Sequence, residues 1–102
     1  MPTKKTATKT KPAPKHFWEE GKAYFIRTVT NFHTGRLVRE EHDCLILSNA
    51  AWIADTGRFA DFLRTGKANE VEPFPMDLEV AVPKMAIVDA CSWPHELPKD
   101  QK

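Results

Sequence analysis

The chain has 102 residues, of which 41% are hydrophobic and 28% charged, and its formal net charge is +1. This length accommodates one small domain, and two cysteines cannot form the disulfide framework of a cystine-rich secreted protein. No stretch approaches the roughly 20 apolar residues that a membrane-spanning helix needs. A multidomain enzyme, a membrane protein and a cystine-rich toxin are therefore excluded.

The charge divides the chain into a basic segment and an acidic body. Residues 1–16 carry five lysines and no acidic residue, whereas residues 17–102 carry ten basic and fourteen acidic residues. The first segment is rich in Thr and Pro and has no apolar residue larger than Ala after Met1, which predicts a disordered tail. Two roles stay open for it: solubilising the domain, or contacting phosphate backbones through Lys4, Lys5, Lys9, Lys11 and Lys15. The folded domain is expected at 17–97, followed by a loose tail at 98–102.

The first half of the body predicts a meander of three strands, over residues 22–31, 36–40 and 44–47. The first of these alternates as a half-buried strand. The third, with the sequence CLIL, is a continuous apolar run that indicates cover on both faces. Before the meander, residues 16–21 predict a short helical turn that ends at a glycine, and residues 32–35 predict a turn between the first two strands.

A short helix is predicted after the third strand. Asp55 or Thr56 can cap its first turn, and Gly66 stands where a helix C-terminus belongs. Residues 49–54 are expected to link this strand to the helix and to bring Trp52 and Ile53 into the core. The apolar side chains that recur at helical spacing are Phe59, Phe62 and Leu63.

The last part of the body predicts two more strands, over residues 78–82 and 85–91. Pro73 and Pro75 are expected to prevent regular structure in residues 67–77. Five short strands and one helix predict a mainly β fold: a small, strongly bent, five-stranded antiparallel barrel with the helix inserted between strands 3 and 4. Small barrels either close on themselves or pair their edges between subunits.

The sequence shows no constellation of residues that suits catalysis or metal binding. Cys44 and Cys91 lie within apolar runs and are expected to be buried as small hydrophobes. No histidine is spaced with another ligand as a zinc site requires. There is no serine-nucleophile or phosphate-loop motif. We therefore expect no enzymatic activity, no metal and no cofactor. The four histidines that were considered as zinc ligands are His16, His33, His42 and His95.

Two arginines are the candidate contacts for nucleic acid in the folded body. Arg36 and Arg39 lie near Tyr24 and Phe32, and basic groups beside aromatic rings can hold a strand by backbone contact and stacking. The competing interpretation is that these arginines pair with nearby acids, such as those at 40–41, or with acids of a neighbouring subunit.

Two segments resemble the signatures of Sm-like small β-barrel proteins. Residues 34–50 (TGRLVREEHDCLILSNA) have a Gly, one residue, a Leu, a polar loop and an apolar strand of the form Leu-x-Leu-x-x-Ala, and residues 80–90 (VAVPKMAIVDA) are similar to the second signature, two strands joined by a tight turn. The resemblance implies a small barrel prone to ring assembly. Cys44 and Pro83–Lys84 stand where the family has the Asn and the Arg-Gly pair that hold an RNA base, and only Glu40 keeps an acidic character in the loop.

Two functional hypotheses follow. The first is a non-enzymatic small β-barrel assembly module that forms homo-oligomers, such as rings, through its edge strands. The alternative is an Sm-like protein that binds RNA or DNA with its basic tail and its barrel arginines. The acidic body repels phosphates and favours the first. We further expect a cytoplasmic protein of bacterial or phage origin, without membrane contact.

Overall fold

The computed structural model describes residues 16–102, so the five lysines of the predicted tail lie outside the described residues. The described chain is mainly β and contains six strands, one short α-helix and one 3₁₀ turn. In chain order these are β1 (Ala23–Thr28), β2 (Phe32–Glu40), β3 (Cys44–Asp55), α1 (Phe59–Thr65), β4 (Glu70–Pro73), β5 (Val80–Pro83), the 3₁₀ turn η1 (Lys84–Ala86) and β6 (Ile87–Ser92).

All six strands belong to one antiparallel sheet with the order β4-β3-β2-β1-β6, and β5 also pairs with β3. The twelve-residue β3 pairs with β5 through residues 44–47 and with β4 through residues 51–55. Bulges interrupt the ladders of β2 with β3 and of β1 with β6, and bulges bend the strands that carry them. Among the described residues, no ladder joins β6 to β4 or β5, so the hydrogen-bonded sheet is open. The mainly β class, the antiparallel pairing and the helix between the third and fourth strands are confirmed. The count of five strands is wrong, and the described sheet is not closed into the expected barrel, because its two outer strands do not pair with each other.

The sheet is covered on both faces by two separate cores. On one face, α1 packs Phe62 against Phe25 of β1 and against Trp93, which follows β6. The other face holds a second cluster, formed by Tyr24, Ile26, Leu37, Leu45, Leu47, Ala50 and Val82. Successive residues of β1 therefore enter opposite cores, and the expected half-buried strand is buried on both faces. The two-sided cover predicted for CLIL is confirmed.

The expected helical turn at 16–21 is not a helix, since these residues form a bend and a turn. Tyr24 supplies the contacts that hold this segment. Its hydroxyl donates to the carbonyl of Phe17 at 2.7 Å and accepts the N–H of Glu19 at 2.8 Å. A single turn has too few internal hydrogen bonds to form alone, so a buried tyrosine can impose another path.

The predicted turn at 32–35 is the beginning of β2, and the predicted linker at 49–54 is the middle of β3. Gly35 reflects close strand packing rather than a turn, because a Cβ there would lie 3.0 Å from Cβ of Leu47. Trp52 and Ile53 point to opposite faces, since they are consecutive residues of a strand. Ile53 is buried as expected, but Trp52 remains 42% exposed, which corrects its assignment to the core.

Helix α1 ends at Gly66 as predicted. This glycine has φ 77°, and its N–H donates to the carbonyl of Phe62. The predicted capping residues do not cap the helix, because Arg58 occupies the N-cap position without a side-chain bond. Asp55 instead accepts the N–H of Gly57 at 2.8 Å and holds the turn before the helix.

Strand β4 lies in a segment that was expected to be irregular, residues 67–77, and the C-terminal segment contacts it. Residues 70–73 form this strand, and Pro73 is tolerated because it is the last residue of the strand. The C-terminal segment 98–102, which was expected to be loose, lies against β4. Lys102 and Val71 exchange two backbone hydrogen bonds, of 2.9 and 3.0 Å.

Candidate functional site

The most distinctive surface of the described chain is a pair of unpaired strand edges. The outer edge of β4 is not one of them. Lys102 occupies both backbone groups of Val71 on that edge, and Pro73 has no N–H to offer. The open edges therefore lie elsewhere, on β5 and β6.

On β6, the outward-facing backbone groups belong to Ala90 and Ser92. The N–H of Trp93 donates to Ala23 at 2.9 Å, which places residue 93 in a hydrogen-bonded pair with β1. Since such pairs alternate along an antiparallel ladder, the backbone groups of Ala90 and Ser92 point away from β1. Neither residue has a backbone partner on that side among residues 16–102.

On β5, the same reasoning identifies Ala81 as the open position. The N–H of Lys84 donates to Asp43 at 2.9 Å, so the hydrogen-bonded pairs of this ladder include Val82 with Leu45. The N–H and carbonyl of Ala81 therefore point away from β3. Its side chain is exposed as well, so a strand could approach this edge without displacing core residues.

The two open edges meet at η1, and exposed apolar side chains lie on or beside this turn. Met85 of η1 is 96% exposed, Val88 of β6 is 63% exposed, and Val29 is 75% exposed. Val29 lies beside η1 because its N–H donates to the carbonyl of Ala86 at 2.9 Å. We call Val29, Met85 and Val88 the corner patch. Exposed apolar side chains close to unpaired strand edges favour contact with another protein surface.

Arg39 is neutralised by carboxylates of its own chain. Its guanidinium donates to Glu41 at 3.0 Å and to both carboxylate oxygens of Glu79 at 3.0 and 3.1 Å. The hydrogen bonds from Arg39 lower the pKa of the Glu79 carboxyl and raise that of the guanidinium. Pairing with nearby acids, the competing interpretation, therefore describes Arg39.

Arg36 differs from Arg39, because none of the described carboxylates lies within 4.0 Å of it. Its side chain is exposed and donates to the carbonyl of Gly21 at 2.8 Å. The two candidate arginines thus lie on the same strand, but only Arg36 keeps an uncompensated charge. The other predicted contacts, Lys4, Lys5, Lys9, Lys11 and Lys15, lie outside the described residues.

Within residues 16–102, no three His, Cys, Asp or Glu side chains lie together in a way that could hold a metal ion. Cys44 and Cys91 are partly exposed rather than buried, which corrects the expectation from their apolar runs. Burial raises the pKa of both thiols, and Glu41 raises that of Cys44 further. Both therefore remain protonated near neutral pH, and a thiol is a poor nucleophile.

The corner patch and the open edge positions were not among the residues singled out from the sequence. The signal that could have indicated them is the segment VPKMAIVDA, in which the 3₁₀ turn shifts the alternation of β5 relative to β6. Met85 and Val88 then fall on the exposed side. Inserting one turn between two strands reverses which residues of the second strand face outward. Because the apolar pattern does not mark where such a turn lies, it could not identify the exposed residues of β6.

No helix in the described part of the chain has the length and apolar character needed to cross a membrane. No family model, curated protein or solved structure matches the chain.

Proposed function

We propose that this protein is a non-enzymatic assembly module that forms homo-oligomers by pairing the open edges of β5 and β6 between copies. The observation that carries this proposal is that the two open edges meet at the apolar corner patch. Exposed edges are usually blocked in monomers, as β4 is here by Lys102. Two open edges beside exposed apolar side chains favour pairing with a strand of another copy.

Because β5 and β6 are different surfaces, β5 of one copy would pair with β6 of the next. Such a head-to-tail interface generates a ring if the rotation closes, and a filament if it does not. Each copy would then gain a neighbouring strand where its own bent sheet is open. The resemblance of 34–50 and 80–90 to Sm-like signatures supports a barrel-like arrangement and a ring.

The test is the mass of the full chain in solution, measured by light scattering and sedimentation. We expect a defined oligomer, several times the 11.6 kDa of one chain. Ala81→Pro removes an outward N–H at an exposed edge position, where proline is tolerated, and Met85→Lys places a charge in the corner patch. Both variants are expected to shift the mass toward the monomer while keeping the β circular dichroism spectrum.

Met76→Lys is the matched control, since Met76 is also highly exposed, at 71%, but lies outside the corner patch. It is expected to leave the oligomer unchanged. A wild-type chain that stays monomeric at about 50 μM, well above micromolar affinities, contradicts the proposal. Equal dissociation by Met85→Lys and Met76→Lys would contradict the assigned edge.

A second candidate function is binding of RNA or DNA, which the uncompensated charge of Arg36 favours together with the five lysines of residues 1–15. We expect its affinity to fall steeply with salt and to drop when residues 1–15 are deleted. Arg36→Gln should weaken binding more than Arg39→Gln, because Arg39 is already paired. Absence of binding at low salt eliminates this candidate.

A further inference from the structure

A groove of about 300 Å³ lies between the β3–β4 region and the C-terminal segment, away from the corner patch. The lining residues that bear on its ligand are Arg36, Asn49, Phe74, Glu96 and Lys99. Its volume is at the lower end of the range of about 300–1,000 Å³ for small-molecule sites. It therefore suits a single small ligand rather than an extended chain.

One wall of the groove is built by the bulge in the ladder of β2 with β3. The bulge places Asn49 in the left-handed region at φ 50°, with its side chain exposed. The carbonyl of the next residue, Ala50, accepts the N–H of Phe74 at 2.8 Å. This bond holds the backbone of Phe74 beside that of Asn49, and both side chains line the groove. The Asn49 amide can both donate and accept hydrogen bonds.

The groove also carries two cations that no described carboxylate neutralises within 4.0 Å, Arg36 and Lys99. Among residues 16–102, the carbonyl of Gly21 is the one hydrogen-bond partner of the Arg36 guanidinium, which leaves its other donors available to a ligand. A guanidinium with free donors suits a phosphate group, which accepts two parallel hydrogen bonds. The groove contains one carboxylate, Glu96, which is an acceptor for hydrogen-bond donors.

The combination selects a ligand with three features. It is anionic at one end, to pair with Arg36 and Lys99. It has a flat ring, to pack on Phe74. It has hydrogen-bond donors, such as an exocyclic amine, for Asn49 and Glu96. Inorganic phosphate lacks the second and third features, and a long polyanion is opposed by the excess of acidic residues in the body. We propose that this groove binds a nucleoside monophosphate.

In the bound state, the phosphate pairs with Arg36 and Lys99 and the base packs on Phe74, with its edge toward Asn49. This site is separate from the open edges of β5 and β6, so binding does not depend on oligomer formation. Of the predicted nucleic-acid contacts that the structure describes, Arg36 lines the groove and Arg39 does not.

The experiment is a titration of the full chain with AMP and CMP, followed by calorimetry and by amide chemical shifts. We expect saturable binding with a Kd below about 1 mM and shifts that include Asn49 and Phe74. Arg36→Gln should weaken binding about tenfold or more, because it removes a charge-assisted hydrogen bond. Phe74→Leu keeps an apolar contact but removes the ring, and should also weaken binding.

Arg39→Gln is the matched control, since it makes the same change of charge on the same strand outside the groove. It should leave the affinity within twofold of the wild type. The proposal is overturned by the absence of saturable binding at about 5 mM nucleotide, well above the expected Kd. It is also overturned if Arg39→Gln weakens binding as much as Arg36→Gln, or if ribose 5-phosphate or phenylalanine binds as tightly as AMP.

Discussion

Replacing Gly66 by alanine tests how the end of α1 is held against the C-terminal segment. Gly66 has φ 77°, a backbone conformation that costs a residue with a side chain about 1–2 kcal/mol. A Cβ at this position would also lie 2.5 Å from Cγ and 2.6 Å from Cβ of His95. No real Cβ tolerates such distances, so the imidazole must move.

The imidazole of His95 is held by two contacts that this movement would disturb. Its Nε2 donates to the carbonyl of Leu63 at 2.8 Å, and its ring meets Trp93 edge to face with the centroids 4.9 Å apart. Each contact contributes on the order of 0.5–1.5 kcal/mol. With the backbone cost included, we expect Gly66→Ala to lower the free energy of unfolding by about 2–5 kcal/mol.

The measurement is denaturant unfolding followed by tryptophan fluorescence. Gly21→Ala is the matched control, because Gly21 has φ 86° but a Cβ there would meet nothing within 4 Å. It should show the backbone cost alone, about 1–2 kcal/mol. If both substitutions lower stability equally, the steric argument is refuted. The double variant Gly66→Ala/His95→Ala should recover part of the stability that His95 interference removes.

Three other predictions concern buried polar groups. Burial lowers the pKa of His33, and its Nδ1 has no partner among the described residues. The unfolded chain therefore binds a proton at His33 more readily than the folded chain does. The free energy of unfolding should fall as the pH drops below about 6.5. His33→Gln should remove this step from the pH dependence of unfolding. The fully buried hydroxyl of Thr34 also has no described partner, so Thr34→Val should raise the unfolding free energy by about 1 kcal/mol in urea. Thr28→Val is instead expected to lower the free energy of unfolding, because the Thr28 hydroxyl both donates a hydrogen bond to the backbone of Asn31 and accepts one from it. A loss of stability in Thr34→Val, or a gain in Thr28→Val, would show that the hydrogen bonding of these two hydroxyls differs from that in the structure.

Local patterns were sufficient for several parts of the fold. The β-branched and aromatic residues of β1, the apolar run CLIL and the glycine after α1 each depend on neighbours in sequence, and all three lie in the predicted type of element. The helix position followed because Phe59, Phe62 and Leu63 recur at a period that a strand does not share. The candidate nucleic-acid contacts in the body were also chosen from local pattern, and the pattern could not separate Arg36 from Arg39. The partner that distinguishes them, Glu79, is forty residues away from Arg39.

The mainly β class and the place of the short helix could be predicted without a structure, since each depends on the periodic spacing of apolar side chains close together in the chain. The tertiary structure alone decided which edges are open. Lys102 closes β4 from thirty-one residues away in sequence, and the 3₁₀ turn Lys84–Ala86 sets which groups of β5 and β6 face outward. It also decided that β1 is buried on both faces, because the second face is covered by α1. These features depend on contacts between distant segments, and such contacts leave no periodic signal in the residues that make them.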